Sequence, residues 1–242
     1  MLVGIVGRSV DPDGRTCSMG TGKDTVSDAF VQGGCVKIGL ADPMKRIVMD
    51  LYNFTEGQLW GQSELRNVPD KRLPREAHTI KNGKCACCGE PLGSLEPCYL
   101  TPRYALQTVG DEWGRNCYLD TWVDKLLSTV RLLRKGDCYY DTVLGLRYTT
   151  SFSDSMWPKT NVVVSDVRRL NELKAIQKAG GHLVLVERCV LSLPEGVDLT
   201  HGSEAELSQL DDADFTAIIS NDGTLEDLRY KARDILTSLL SK

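Results

Sequence analysis

The glycine-rich stretch GTGKDT occupies residues 20–25, between the apolar run LVGIV at residues 2–6 and the sequence VSDAFV at residues 26–31. The short run rich in Val and Ile predicts a buried parallel strand, and the segment after the glycines predicts the start of a helix. A strand, a glycine loop and a helix N-terminus together direct several backbone N–H groups at one anion. The stretch therefore indicates a phosphate-binding loop, with an ordinary glycine-rich turn as the alternative. The residues expected to contact phosphate are Gly20, Thr21, Gly22, Lys23, Asp24 and Thr25, and Lys23 is expected to reach the β- and γ-phosphates.

This loop departs from the usual pattern G-x-x-x-x-G-K-[ST] in two places. Cys17 stands where the pattern has its first glycine, and Asp24 stands where it has Ser or Thr. Gly7 closes the strand as a first glycine should, but fourteen residues rather than four separate it from Gly22. The extra residues are polar and rich in turn formers, so we expect a surface insertion within residues 8–19 that leaves residues 20–25 intact.

Length and composition limit the class of protein. The 242 residues, of which 41% are hydrophobic, suffice for one domain with an appendage or for two small domains. A net charge of −4 argues against a broad nucleic-acid-binding surface. No apolar run is long enough to span a bilayer and the chain leads directly into the first strand, so we expect no membrane association, no targeting segment and a cytoplasmic location.

The order of apolar segments predicts the fold class. Strands are expected at residues 2–6, 36–40, 161–166, 183–187 and 215–220, and helices are expected at residues 43–51, 104–110 and 121–133, after residue 167 and from Thr224. Thr224 and Asp227 form an acidic variant of the capping box. Five strands that alternate with helices predict an α/β protein, a three-layer sandwich around a doubly wound parallel sheet.

Two groups of residues outside the loop are candidates for a second ligand. Asp42 and Lys45 follow the second strand at its carboxyl end, the edge where open parallel sheets bind ligands. Their simplest interpretations are a helix N-cap and a solvated surface charge. Trp113 is more often a core residue than a platform for a base. Arg115 is of the residue type that grips phosphate with two hydrogen bonds, and its neighbouring glycines permit close backbone approach.

Residues 53–102 lack a clear periodicity and are too long for an ordinary loop, so we expect an insertion with its own stabilising device. Cys85 and Cys88 form a C-x-x-C-G turn, in which two thiolates converge on one metal ion. Cys98 is a candidate third ligand, and His78 or Cys87 a candidate fourth. The motif is half of a complete zinc signature, and nine clustered cysteines in a reducing compartment favour metal binding or buried thiols over disulfides. Structural zinc and a reduced, metal-free cluster both remain open.

The chain resembles the deoxynucleoside monophosphate kinases of tailed bacteriophages, which are related to dephospho-coenzyme A kinase and other small phosphate-loop kinases. The resemblance covers most of the length outside the loop insertion and the cysteine region. It rests on short motifs in a shared order: GKDT at residues 22–25, ADPMK at 41–45, LQxxGxEWGR at 106–115, DxW at 120–122, SDVRxxNE at 165–172, HxSE at 201–204 and NDGTLEDL at 221–228. It implies a phosphate-loop kinase core, formed by residues 1–52 and 103–242, with a lid and the insertion at residues 53–102.

The resemblance also implies roles for individual residues. ATP and Mg²⁺ become the expected cofactors, with Asp24 or Thr25 helping to hold the metal ion. The residues implied in catalysis are Lys23, Arg115 and Arg168. Asn221 and Gly223 are implied near the donor adenine. The residues implied at the acceptor are Asp42, Lys45, Gln107, Trp113, Arg115 and Arg169. Cys189 replaces a proline that many relatives have after the arginine of this strand, which leaves the role of Arg188 open.

The activity implied is transfer of the γ-phosphoryl group of ATP to a deoxynucleoside monophosphate in phage nucleotide metabolism, with small nucleotides as partners. Two alternatives stay open. One is a kinase on another acceptor, such as dephospho-coenzyme A or a modified base in DNA, and the other is a non-catalytic nucleotide-binding module. The accepted bases, the preference for deoxyribose and the formation of a homodimer are also open.

Overall fold

The computed structural model describes residues 1–136, 138–148, 160–193, 206 and 209–241. The chain divides into two compact units, one formed by Met1–Leu40 with Val123–Lys242 and the other by Ala41–Trp122. The predicted insertion at residues 53–102 lies inside the second unit. No helix in the described ranges is long and apolar enough to cross a lipid bilayer.

The strands and α-helices of the described residues are labelled in chain order. The strands are β1 (Leu2–Val10), β2 (Thr16–Cys17), β3 (Val36–Ile38), β4 (Pro74–Arg75), β5 (Ile80–Lys81), β6 (Lys84–Cys85), β7 (Cys98–Tyr99), β8 (Cys138–Asp141), β9 (Gly145–Tyr148), β10 (Val162–Val167), β11 (His182–Cys189) and β12 (Ala217–Ser220). The helices are α1 (Lys23–Gln32), α2 (Asp42–Tyr52), α3 (Glu56–Trp60), α4 (Pro102–Gln107), α5 (Thr121–Lys135), α6 (Leu170–Lys178) and α7 (Leu225–Leu240). Two 3₁₀ segments, Ser63–Asn67 and Asp212–Asp214, and a π-helix, Thr108–Arg115, complete the described elements.

The first unit is built on a sheet with the strand order β12-β11-β1-β10-β3, and every neighbouring pair in this order is parallel. All five predicted strands lie in it, so the predicted α/β class is confirmed. The central strand β1 leads to the predicted phosphate loop through a turn and the short strand β2. Because the strands are parallel, their carboxyl ends share one edge of the sheet.

Helices cover both faces of this sheet. Val3 and Ile5 of β1 share a buried core with Phe30 of α1 and with α7 on one face. Side chains alternate along a strand, so Gly4 faces the other way. A Cβ atom built on Gly4 would lie 2.9 Å from the Cδ1 atom of Ile176, which belongs to α6. The first unit is therefore the three-layer sandwich that the sequence predicts.

Helix α7 begins with the predicted cap. The Thr224 hydroxyl accepts the N–H of Asp227 at 3.2 Å, and the Asp227 carboxylate accepts the N–H of Thr224 at 2.9 Å. The buried face of the helix contains Leu228, Ala232, Leu236 and Leu239. Leu225, in the first turn of the helix, is 52% exposed.

The extra residues before the phosphate loop extend the sheet, which corrects the expected surface insertion. Strand β1 runs to Val10 because β11 extends equally far and pairs with it up to Cys189. The chain then turns and returns as β2, which is antiparallel to the end of β1. Asp11 fixes the turn, accepting the backbone N–H of Arg15 at 2.9 Å and its Nε at 2.8 Å.

The second unit combines short helices with very short strands. The segment expected to lack elements contains α3, a 3₁₀ segment and four strands of two residues each, paired as β4 with β7 and β5 with β6. Its larger buried cluster joins Val48, Phe54, Leu59 and Ala105. The helix predicted at residues 104–110 begins earlier, at Pro102, and continues as the π-helix through Arg115.

Candidate functional site

The predicted phosphate loop connects β1 and β2 to α1, and two of its glycines adopt backbone angles that favour glycine. Gly20 has a φ of 67° and Gly22 has a φ of 89°, both in the left-handed region. Gly22 is the N-cap of α1, and no side chain among the described residues caps this helix. The first-turn N–H groups of α1 are therefore directed toward the loop, in the arrangement that binds anions.

Gly7 lies against this loop although the chain between them is long. A Cβ atom built on Gly7 would lie 2.3 Å from the Thr21 hydroxyl oxygen and 3.1 Å from Cδ of Lys23. Thr21 is buried, and its hydroxyl accepts the backbone N–H of Lys23 at 3.3 Å. The Lys23 Nζ donates to the carbonyl oxygen of Ser18 at 3.3 Å. Gly7 is therefore next to the loop in the folded chain, as the first glycine of the usual pattern would be, although it is distant from the loop in sequence.

Two side chains from other strands support the loop. The Nδ2 of Asn221 donates to the carbonyl oxygen of Thr21 at 3.0 Å, and Nη1 of Arg188 donates to the carbonyl oxygen of Gly20 at 3.2 Å. Gly223 is exposed in the turn that follows Asn221. Arg188 is not among the residues predicted to form the site. The length of strand β11 is the feature that would have predicted the position of Arg188 beside the loop.

Arg168 follows the strand next to β1. Val6 and Val167 are paired residues of β1 and β10, so Arg168 and Gly7 are the next residues along neighbouring strands. The backbone N–H of Arg168 donates to the Glu172 carboxylate at 2.8 Å. No partner of its guanidinium is found among the residues that the structure describes, and this cation stands at the carboxyl edge of the sheet.

Arg169 has a different environment from its neighbour. Its Nη1 forms an ion pair with Glu206 at 3.0 Å, and Glu206 also accepts the N–H of Leu170 at 2.7 Å. The side chain of Arg169 is thus engaged at the start of α6. This contact was not foreseen because Glu206 lies far along the chain in a segment with no clear pattern.

Oxygen atoms suited to a magnesium ion flank the loop. Asp24 is exposed and Thr25 half-buried in the first turn of α1. Asp166, on β10, accepts the backbone N–H of Leu40 at 2.7 Å. Hydroxyl and carboxylate oxygens are the ligands that Mg²⁺ prefers, so the donor set at this edge fits that ion.

Asp42 is buried and Lys45 is half-buried in the second unit, which corrects their simplest interpretations. Ala41, not Asp42, is the N-cap of α2. Asp42 is 3% exposed and accepts the indole N–H of Trp60 at 2.9 Å. The Lys45 Nζ lies 3.7 Å from Asp42 and 5.3 Å from the centre of the Trp60 ring, so it is not a solvated surface charge.

Trp113 and Arg115 lie on the π-helix. Trp113 is 58% exposed, so its interpretation as a core residue is wrong, and the exposed Gln107 precedes it on α4. Arg115 Nε pairs with Asp111 at 2.9 Å. The indole of Trp122 takes the buried position and donates to the carbonyl oxygen of Gly110 at 2.9 Å.

The glycines of the π-helix lie close to two other side chains of the second unit. A Cβ atom built on Gly114 would lie 2.3 Å from the Trp122 ring, and one built on Gly110 would lie 3.1 Å from Sδ of Met44. These glycines therefore permit the packing of Trp122 and Met44 against the segment.

The four predicted metal ligands converge in the second unit. The ligand atoms of His78, Cys85, Cys88 and Cys98 all lie within 4.8 Å of one another. Cys85 and Cys98 are buried, and all nine cysteines of the chain are free thiols. Cys87, the alternative fourth ligand, donates its thiol hydrogen to the carbonyl oxygen of Tyr99 at 3.2 Å.

The thiols of this cluster differ in acidity. Burial alone would raise the pKa of Cys85, but hydrogen bonds from the Cys88 backbone and from His78 lower that pKa to about 6. Burial, followed by hydrogen bonds with Cys88 and Cys85, raises the pKa of Cys98 to about 12. Hydrogen bonding with Cys85 raises the pKa of His78. The metal-free cluster therefore favours one thiolate, and binding of a divalent cation would release the remaining protons.

Comparisons with known proteins find similarity in sequence and in structure. No protein-family model matches the chain. The chain is 26% identical over 211 residues to a protein of Acanthamoeba polyphaga mimivirus described as "Putative deoxynucleotide monophosphate kinase", and the match covers 86% of each chain. Among solved structures, a dephospho-CoA kinase from Campylobacter jejuni is similar with a TM-score of 0.44 and 14% identity, covering 99% of this chain and 98% of that one.

Proposed function

We propose that the protein transfers the γ-phosphoryl group of ATP to a deoxynucleoside 5′-monophosphate, forming ADP and a deoxynucleoside diphosphate. The observation that carries the proposal is the glycine loop before α1, which joins an uncapped helix N-terminus, two left-handed glycines and Lys23 at one edge of a parallel sheet. The similarity to the mimivirus protein over 86% of the chain supports a monophosphate as acceptor.

The donor phosphates are bound by groups of the first unit. Backbone N–H groups of residues 20–25 contact the phosphate oxygens, and the Lys23 Nζ moves from the Ser18 carbonyl oxygen to the β- and γ-phosphates. Asp24 and Thr25 would hold Mg²⁺, which when bound neutralises the charge of the triphosphate. Arg168, at the same sheet edge, stabilises the negative charge that spreads over the transferred group.

The reaction exchanges one phosphorus–oxygen bond for another. The bond between the γ-phosphorus and the bridging oxygen of ATP breaks, and a bond forms between the γ-phosphorus and an oxygen of the acceptor monophosphate. The acceptor is already an anion, so the protein needs no strong base. Catalysis therefore depends on alignment and charge neutralisation.

Trp113 and Arg115 bind the acceptor in this proposal. Trp113 offers an exposed aromatic ring on which a base can stack, and Arg115 offers a guanidinium for its phosphate. Replacing Trp113 with Ala should raise the KM for the acceptor and leave the KM for ATP unchanged. Tyr230→Ala, which removes an equally exposed aromatic ring from α7, is the matched control and should change neither constant.

The activity is tested by measuring ADP release from Mg-ATP with a panel of ribo- and deoxyribonucleoside monophosphates, dephospho-coenzyme A and duplex DNA. We expect turnover with particular deoxynucleoside monophosphates, and the product identified by mass should be the corresponding diphosphate. Turnover with only dephospho-coenzyme A or only DNA would show that this molecule is the acceptor and that a deoxynucleoside monophosphate is not. Binding of ATP without turnover on any acceptor would overturn the proposal in favour of a nucleotide-binding module.

A further inference from the structure

Two of the six distances between the four ligand atoms match the edges of a tetrahedral metal centre. The two Sγ atoms of Cys85 and Cys98 are 3.7 Å apart, and Sγ of Cys88 lies 3.5 Å from Nδ1 of His78. Zinc–sulfur bonds of about 2.3 Å and zinc–nitrogen bonds of about 2.0–2.1 Å give tetrahedral edges of roughly 3.5–3.8 Å. All four ligand atoms lie within 4.8 Å of one another, so the group is compact enough for one zinc ion.

The imidazole of His78 is oriented as in a metal ligand. Its Nδ1 faces Sγ of Cys88, and its Nε2 lies 2.8 Å from the carbonyl oxygen of Glu96. A histidine that binds a metal through one nitrogen usually donates its other N–H to a carbonyl or carboxylate. The contact with Glu96 thus leaves Nδ1 with the lone pair that a metal requires.

A positively charged side chain lies beside the cluster. Nη1 of Arg75 lies 3.7 Å from Sγ of Cys98. Three thiolates and a neutral imidazole around a divalent ion carry a net charge of −1, which the guanidinium offsets.

The segment that carries the cluster has little else to hold it together. Cys85 lies on β6, Cys98 lies on β7, Cys88 follows β6 and His78 precedes β5, and each of these strands contains two residues. The buried part of this cluster is formed by Cys85, Cys87 and Cys98, against which Leu100 and Tyr104 pack. An apolar core of this size stabilises a fold only weakly. Natural domains with such small cores are usually stabilised by a metal ion or by disulfides.

We propose that His78, Cys85, Cys88 and Cys98 bind one structural Zn²⁺ ion. All four positions of the tetrahedron are filled by protein, which is typical of structural rather than catalytic zinc. Cys87 stands in the same turn but donates its thiol to Tyr99, so it is outside the ligand set.

The zinc centre is tied to the start of α4. The Thr101 hydroxyl caps α4 by accepting the N–H of Tyr104 at 3.2 Å and donates to the carbonyl oxygen of Cys87 at 2.8 Å. Arg75 lies 4.7 Å from the centre of the Tyr104 ring. A metal that fixes the 85–88 turn therefore also fixes the helix that continues into the π-helix.

The test is the metal content of full-length protein purified without chelator, measured by mass spectrometry of the elements. We expect one zinc ion per chain in the wild-type protein and in Cys87→Ser, the matched control, and a loss of nearly all zinc in Cys85→Ser and Cys98→Ser. A wild-type protein without bound metal, or a Cys87→Ser variant that loses as much zinc as Cys85→Ser, would overturn the proposal.

A second measurement does not depend on the folding of variants. The wild-type protein is exchanged with Co²⁺, whose absorption reports tetrahedral geometry and thiolate ligation. We expect visible bands of a tetrahedral ion together with sulfur-to-cobalt charge-transfer bands. An octahedral spectrum without charge transfer, or an intact mass that shows a Cys85–Cys98 disulfide in place of thiols, would refute the zinc site.

Discussion

The proposed phosphate loop and the His78–Cys98 cluster are both small sites made by turns, but they are supported in different ways. The loop is attached to the five parallel strands of the central sheet, of which β1, β10 and β11 have almost completely buried apolar residues. The cluster is attached to strands of two residues each. The loop is therefore formed before any ligand binds, whereas the proposed zinc ion is itself part of the structure that binds it. Substitutions in the loop should change chemistry, and substitutions in the cluster should change folding.

Lys23→Met gives the largest expected effect in the loop. The substitution removes the cation proposed to contact the β- and γ-phosphates, and loss of one such electrostatic contact costs at least about 10²-fold in turnover. The unfolding temperature should stay the same, because Lys23 is at the sheet edge and not in the core. Turnover and thermal unfolding are measured on the same preparation.

Lys37→Met is the control for that substitution. Lys37 forms an exposed ion pair with Asp28 at 2.9 Å, so the same charge is lost away from the loop, and turnover should stay near the wild-type value. A Lys23→Met protein with near-normal turnover would remove the loop from the mechanism. A large drop in its unfolding temperature would instead show that the loop, like the cluster, contributes to folding.

Metal removal should affect the two units unequally. We expect a strong chelator to abolish protection from amide hydrogen exchange across residues 74–104 and to leave β1, β10 and β11 protected, because these strands are buried in the first unit. Hydrogen exchange followed by mass spectrometry measures both regions in one sample. Added Zn²⁺ should restore the lost protection. An equal loss of protection in both units, or no loss in either, would contradict the expectation that only the second unit depends on the metal ion for its stability.

The sequence predicts the first region better than the second for a physical reason. Strands of a buried parallel sheet are short apolar runs, so the five strands and their order of helices can be read from the chain. The features of the first region that the sequence does not predict depend on residues that are distant along the chain. Residues 8–10 became a strand because β11 runs beside them, and Arg169 is paired with Glu206 from a segment without a pattern.

In the second unit, the ligand types were visible but their surroundings were not. Cys85 and Cys88 mark a metal turn by spacing alone. Asn82 and Gly83, whose φ values are 52° and 78°, form the preceding hairpin turn, and the Asn-Gly pair was an available signal for it. The burial of Asp42 beside Trp60 follows from packing between helices, which no local pattern of the chain encodes.

Gly7→Ala should disturb the loop through packing rather than charge. The added methyl group would lie 2.3 Å from the Thr21 hydroxyl, so either the loop or β1 must shift, at a cost of about 1–3 kcal/mol in the free energy of unfolding. Affinity for ATP should fall as well. Gly57→Ala is the control, since its methyl group would meet nothing closer than 3.9 Å, and it should leave both quantities unchanged or slightly improved. An ATP affinity unchanged in Gly7→Ala would show that Gly7 is not part of the loop.

Asp70→Asn tests how much of the second unit depends on ordinary polar contacts. Hydrogen bonds from Arg72, at 2.6 and 2.9 Å, lower the pKa of Asp70 from 3.8 to about 2. Because the folded-state pKa is below the unfolded value, the contribution of Asp70 to stability is complete above pH 3.8 and is lost as the pH falls toward 2.

The unfolding temperature of Asp70→Asn should therefore be slightly lower than that of the wild-type protein at pH 6, and the difference should disappear between pH 4 and pH 2. The effect is at most about 1 kcal/mol, because Arg72 is 57% exposed and exposed ion pairs contribute little. A difference independent of pH would mean that the substitution acts through packing. A difference much larger than about 1 kcal/mol would mean that polar contacts near Asp70 stabilise the second unit as strongly as the proposed metal ion. Dependence on a metal ion would then be a property of the His78–Cys98 cluster and not of the second unit as a whole.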